Sequence, residues 1–297
     1  MARRLAFARN GEVEIAFETI GRRDGPAIVM LHGFPENRDA WRKVAERLAD
    51  RFYLILPDQR GYGPSAKPKN VEAYRGRHLA ADVLAVAQAA IPDQDFALAG
   101  HDWGASVAYA VAFTHPQRLT HLVIANGVHP WCFQRAILED EGQRAASQYM
   151  SRLKAGDAEA RLSEDGFRRL MNMIAGFSRS DWMTAAEAEA YRLGWSLPGA
   201  LTAMLNWYRA SPIVVPEVGA AVATAPVLEA PMEKMTVSVP HLVVWGEQDE
   251  ALRPACLHGL VDFAPALTVE RVPDAGHWLL HERPDTVAAK IAAFLGR

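Results

Sequence analysis

Gly100-His101-Asp102-Trp103-Gly104 is the stretch that most constrains how this chain can fold. The run before it, Phe96-Ala97-Leu98-Ala99, is short and apolar, as a buried strand requires. The run after it, Ala105 to Thr114, reads as a helix closed by His115-Pro116. A strand that passes into a helix within so few residues must turn sharply. Side chains beside such a turn would clash, and the two glycines remove them. Asp102 is then pushed out at the tip of the strand. Asp is also a common turn and N-cap residue, so the rest of the chain has to decide whether this one carries chemistry.

The surrounding pattern alternates strand and helix. Glu12 to Glu18 alternates charged and apolar residues and predicts an edge strand with one solvated face. Ala27 to Leu31 and Tyr53 to Leu56 are continuous apolar runs, as central strands buried on both faces should be. Helices are expected over Asp39 to Ala49 and Leu79 to Ile91, and a further strand over Leu119 to Ile124. That order implies parallel strands joined by crossover helices. From Pro130 to Met235 no buried strand is found. Helical stretches rich in Ala, Arg, Met and Trp fill the interval, with an irregular segment over Val218 to Pro231. Strands resume at His241 to Trp245 and Leu267 to Val272, and a helix over Pro284 to Leu295 ends the pattern. The expectation is an α/β fold in three pieces. Residues 1–129 and 236–297 form the core, and residues 130–235 form a helical cap over the carboxyl ends of the strands, where open α/β sheets bind ligands.

Three residues fall just past predicted strand ends. They are Asp102, Asp249 in Gly246-Glu247-Gln248-Asp249, and His277 in Ala275-Gly276-His277-Trp278. Each alone has a plain structural reading, as a turn residue or a hydrogen-bonded core His. Together they make a nucleophile, an acid and a base. The end of the strand before the cap offers Asn126, which cannot ionise, so the acid is expected at Asp249, with Glu247 and Glu250 close by. A carboxylate nucleophile suits saturated carbon bearing a leaving group and gives an alkyl-enzyme ester. A His held in one tautomer can then activate water against that ester.

At this point the chain resembles a known family. His32-Gly33-Phe34-Pro35-Glu36, the Asp102 stretch and Asn206-Trp207-Tyr208-Arg209 are together similar to the soluble epoxide hydrolases of the α/β-hydrolase superfamily. The Asp102 stretch resembles their nucleophile elbow, with Asp where serine hydrolases carry Ser, and the order nucleophile, acid, His is that of the superfamily. The resemblance implies an oxyanion hole from the backbone N–H groups of Phe34 and Trp103 and makes Phe34-Pro35 a candidate cis peptide. It implies that Tyr208 and Tyr149 protonate the leaving oxygen, with Tyr191 as the fallback. Trp131, Trp207, Trp278 and Pro35 are expected to contact substrate.

Haloalkane and haloacetate dehalogenases share the first two motifs in part. This chain carries Phe34 where the former usually have Asn, and Trp103 where the latter usually have Arg. A dehalogenase with the same triad therefore stays as an alternative, and a hydrolase-like protein that binds without turnover as a remoter one. Asp58, Arg60, His32 and His101 read as structural residues.

Composition suits an ordinary soluble globular protein. Hydrophobic residues make up 50% and charged residues 23% of the 297. A net charge of -3 leaves no basic footprint for nucleic acid and no polybasic membrane anchor. The N-terminal Met-Ala-Arg-Arg-Leu leads into no apolar core, and no stretch approaches about 18 apolar residues. Neither a signal peptide nor a membrane span is expected. Two distant cysteines, Cys132 and Cys256, suit a reduced, cytoplasmic protein. No metal-ligand spacing or dinucleotide glycine pattern is present, so no metal and no cofactor are expected. The resemblance implies a small apolar epoxide or halogenated substrate as the partner, and the chain is expected as a monomer or homodimer.

Overall fold

The computed structural model describes residues 4–221 and 224–296. The first three residues of the N-terminal stretch, and two residues of the irregular segment over Val218 to Pro231, lie outside the described residues. Eight strands form one sheet. They are β1 (Arg4–Asn10), β2 (Val13–Gly21), β3 (Ala27–Leu31), β4 (Tyr53–Pro57), β5 (Phe96–His101), β6 (Leu119–Ala125), β7 (His241–Gly246) and β8 (Leu267–Val272). Their spatial order is β1-β2-β4-β3-β5-β6-β7-β8. β2 is antiparallel to both β1 and β4, and every later pairing is parallel.

The edge expectation for Glu12 to Glu18 fails. β2 lies second in the sheet, between β1 and β4, and Ile15 to Ile20 are all buried. Its one charged interior residue, Glu18, is covered because Arg42 donates two hydrogen bonds to its carboxylate, at 2.6 and 3.1 Å. The true edge is β1, whose Leu5 and Phe7 are about half exposed. Gly11 at φ 60° lets a two-residue turn join β1 to β2, with Asn10 paired to Val13.

Helices cover both faces of the sheet. α1 (Arg42–Leu48), α2 (Gly76–Ala90) and α3 (Trp103–Thr114) follow β3, the loop after β4, and β5. Between β6 and β7 lie α4 (Pro130–Glu139), α5 (Glu141–Ala146), α6 (Gln148–Lys154), α7 (Ala158–Phe177), α8 (Ala185–Ser196) and α9 (Ala200–Ala210). α7 is broken at Glu164 to Phe167, where Asp165, Gly166 and Phe167 all take positive φ. α10 (Leu279–Glu282) and α11 (Pro284–Leu295) end the chain. Residues 211–225 between α9 and a short helical turn at Pro226–Glu229 carry no regular element among those described. Apolar side chains on the two faces of the sheet make two cores. One joins Val29, Leu31, Leu98 and Val107 to the helices between β6 and β7, and the other joins Ile28, Met30, Val44 and Ile291. Among the described residues, no helix is long and apolar enough to cross a membrane.

Candidate active site

The turn after β5 is as tight as the glycine spacing demands. Asp102 has φ 51° and ψ -120°, a region that L residues rarely occupy. A Cβ on Gly104 would lie 2.2 Å from the Leu31 carbonyl oxygen, and one on Gly100 would lie 2.5 Å from the Gly104 carbonyl oxygen. Gly33 serves Asp102 from the neighbouring loop, because a Cβ there would meet the Asp102 Cβ at 2.3 Å. Three loops at the carboxyl ends of β3, β5 and β8 thus close on one point.

At that point the Phe34 backbone N–H donates to Asp102 Oδ1 at 2.7 Å, and Phe34-Pro35 is a cis peptide. His277 Nε2 stands 3.7 Å from Asp102 Oδ2. The other ring nitrogen, Nδ1, donates to Asp249 Oδ2 at 2.8 Å. Asp249 is the acid in contact, as against Glu247 and Glu250. Its Oδ1 accepts from the Ala251 and Leu252 N–H groups, both at 2.8 Å, and its Oδ2 accepts from Asn126 Nδ2 at 2.6 Å. Asn126 also takes the Gly246 N–H on its Oδ1, so it spans the ends of β6 and β7.

Burial and charge oppose one another here. Burial pushes the Asp102 carboxyl up to about 6, against the pull of His277 and the N–H groups of Phe34 and Trp103. Burial alone would lower His277, but Asp249, then Asp102, raise it to about 9. For Asp249 burial acts upward and is overcome by His277, the Leu252 N–H and Asn126, leaving it below the ordinary carboxylate range. Near neutral pH, Asp102 is therefore a carboxylate facing an imidazolium.

The motif Asn206-Trp207-Tyr208-Arg209 lies on α9, where successive side chains point about 100° apart. Trp207 Nε1 donates to the Arg60 carbonyl at 2.9 Å, and Arg209 makes a two-pronged pair with Glu159 at 2.7 and 2.8 Å. Tyr208 points between them to the site, packing edge-on against Phe34 and Trp103, each at 5.0 Å. Tyr149 of α6 stands beside it, with the two phenol rings 6.3 Å apart and nearly perpendicular. Burial raises both phenols above their usual value. Tyr191 is elsewhere. Its hydroxyl donates to Glu36 Oε1 at 2.7 Å, so the fallback donor is a structural tie.

A cavity of about 420 Å³ reaches Asp102, Trp103, Tyr149, Tyr208 and Trp207. The other three residues expected to contact substrate lie outside its wall. Trp131 is turned onto Phe263 at 5.1 Å under the Arg135 guanidinium. Trp278 is fully buried and spends its indole N–H on the Ile174 carbonyl at 2.8 Å. Pro35 presents its carbonyl to Trp195 Nε1 at 2.6 Å.

Sequence reading missed a buried cluster behind Asp102, Asp249 and His277. Glu36, within the quoted His32 motif, accepts from His281 Nε2 at 2.6 Å as well as from Tyr191, and its other oxygen lies 3.6 Å from His101 Nδ1. Burial would raise Glu36, but His281 more than offsets it and holds it at about 2. His101 Nε2 donates to the His277 carbonyl at 2.9 Å. The only signal was a charged residue directly after an apolar loop motif. Arg60 is paired with Asp82 and Asp58 takes the Arg38 N–H, which are structural bonds as expected.

Known proteins share this arrangement of chain. Residues 26–284 match the family model described as alpha/beta hydrolase fold. AB hydrolase superfamily protein YfhM of Bacillus subtilis is 32% identical, over 97% of this chain and 96% of its own. Epoxide hydrolase 3 of Mus musculus is 28% identical over 97% of this chain and 75% of its own. A solved structure described under novel epoxide hydrolases in metagenomes from hot environments superposes with TM-score 0.88 at 35% identity, over 99% of both chains. That of Bacillus megaterium epoxide hydrolase with an inhibitor also gives 0.88, at 27% identity over 98% of this chain and all of its own.

Proposed function

This chain belongs to the alpha/beta hydrolase fold family, and from that premise we propose that it is an epoxide hydrolase working through an alkyl ester of Asp102. The observation that carries the reading is a carboxylate at the elbow with two phenols, Tyr149 and Tyr208, across the same cavity. Asp102 Oδ1 is held by Phe34, which leaves Oδ2 to attack an epoxide carbon. As that C–O bond breaks, the oxygen takes a proton from the tyrosine pair. Esterification removes the Asp102 charge that helps hold the proton on His277. His277 then gives that proton up to the tyrosine pair and becomes a neutral base.

Water between Nε2 and the ester loses a proton to His277 and attacks the Asp102 carboxyl carbon. The Phe34 and Trp103 N–H groups stabilise the resulting oxyanion, each such donor contributing about 3 kcal/mol. Collapse breaks the bond between carboxyl carbon and alkoxy oxygen, returns the proton from His277 and releases a vicinal diol. Asn126 holds Asp249 as Asp249 holds His277. The helices α4–α9 act as the cap of the site. The buried free thiols of Cys132 and Cys256 suit a reducing compartment such as the cytoplasm.

The dehalogenase alternative needs N–H donors for a departing halide, whereas the two phenols at the cavity suit a leaving oxygen that must take a proton. Tyr208→Phe should slow epoxide alkylation by about 10²-fold or more, measured by single-turnover quench, while ester hydrolysis changes far less. Unchanged alkylation, or halide release from haloalkanes with no diol from any epoxide, contradicts this reading.

A further inference from the structure

The cavity serving Asp102 runs along one helix and is mostly apolar in its lining, and we propose that the substrates are terminal epoxides bearing a single, uncharged, elongated apolar arm. The inference rests on the epoxide reading above and narrows it to a substrate class. One wall is a face of α3. Trp103, Ser106, Val107, Ala110 and Phe113 recur at helical spacing along it, and the stretch they cover is about 15 Å long. Val128, Ile213 and Val227 also line the cavity. Among the described residues, no Lys, Arg, His or Glu lines the channel and its one carboxylate is the reacting Asp102, so nothing along it would pair with an ionised arm. The Tyr74 hydroxyl in its wall is already donated to the Pro68 carbonyl at 2.8 Å.

The inner end is closed. Phe34 packs on Tyr208, while Phe177 packs on Tyr149 at 6.0 Å and on the His277 ring at 6.1 Å. No described residue of α7 or α8 lines the channel. The small cavity beside Pro35, Glu36 and Tyr62 holds about 10 Å³, room for no more than one water. A second substituent on the reacting carbon would have to enter this packed wall. With the arm lying along α3, the unsubstituted CH₂ meets Asp102. The bond from Oδ2 forms to that CH₂, its C–O bond breaks, and the alkoxide left on the substituted carbon takes the tyrosine proton.

The test uses the full-length protein with terminal epoxides of the butane, hexane and decane series. Their trans-internal isomers and a decane epoxide ending in a carboxylate complete the panel. In the terminal series kcat/KM should climb by up to about fourfold per buried methylene until the channel is full. The internal isomers should fall about a hundredfold below their terminal counterparts, and the carboxylate-ended substrate should lose the gain from its chain. Ala110→Phe, which fills the channel midway, should flatten the chain-length dependence. Internal isomers or the acid turned over as well as the neutral terminal epoxide would overturn the proposal and leave the epoxide reading standing. No turnover of any member, with no adduct on Asp102, would strike the epoxide reading itself.

Discussion

Asp102 is held in a strained conformation by neighbours that leave no alternative, a pattern that functional residues tolerate and ordinary turns avoid. Its acidity supplies a pH test. Burial raises Asp102 to about 6, and only the carboxylate can attack, so the reactive form is full above that value and lost as pH falls below it. Single-turnover alkylation should fall about tenfold per pH unit on the acid side of about 6. A rate that holds level down to pH 4 would contradict the assignment. At this scale Asp102, Asp249 and His277 were legible because each directly follows a strand. Asn126 was visible only as a residue that cannot ionise. Its donation to Asp249 crosses 123 positions of chain, and no local pattern encodes such a bond. Trp131 and Trp278 fall outside the cavity for a related reason. Composition shows that the helices between β6 and β7 are aromatic, but the indole N–H bonds that turn Trp278 away from the cavity are set by tertiary packing.

α8 never reaches the channel, yet it binds the loop after β3 twice. Tyr191 donates to Glu36 and Trp195 to the Pro35 carbonyl, which fixes the peptide following Phe34. Trp195→Phe keeps the aromatic packing with Tyr191 and Phe167 but leaves the buried Pro35 carbonyl without that donor. It should cost about 1–3 kcal/mol, read as a lower urea midpoint with an unchanged slope. An unaltered midpoint would remove this tie from the account. Most elements could be read from periodicity. The continuous apolar runs became β3 and β4, and the last helix fell over Pro284–Leu295 as expected. β1 was missed because Leu5-Ala6-Phe7-Ala8 alternates two large residues with two alanines, a weak period-two signal. Without β1, β2 looked like an edge. The break in α7 was hidden because only Gly166 there is a recognised helix breaker, while Asp165 and Phe167 share its positive φ.

Over the whole molecule, three loops from one end of the sheet meet at Asp102, and a helical insert supplies the two phenols that face it. The core order could be read because crossover helices force parallel strands, whose carboxyl ends then gather at one edge. The cavity could not be read, because its shape depends on how α9 and the described residues of 211–221 and 224–235 sit against α3. The central claim is that Asp102 is alkylated and that His277 releases it. His277→Gln keeps the side chain close in size but removes the base. Mixed with a terminal epoxide and digested for mass spectrometry, this variant should carry one epoxide mass on the peptide holding Asp102, and the adduct should persist while the unaltered protein turns over. An adduct on any other residue, or free turnover by the variant, would contradict the account.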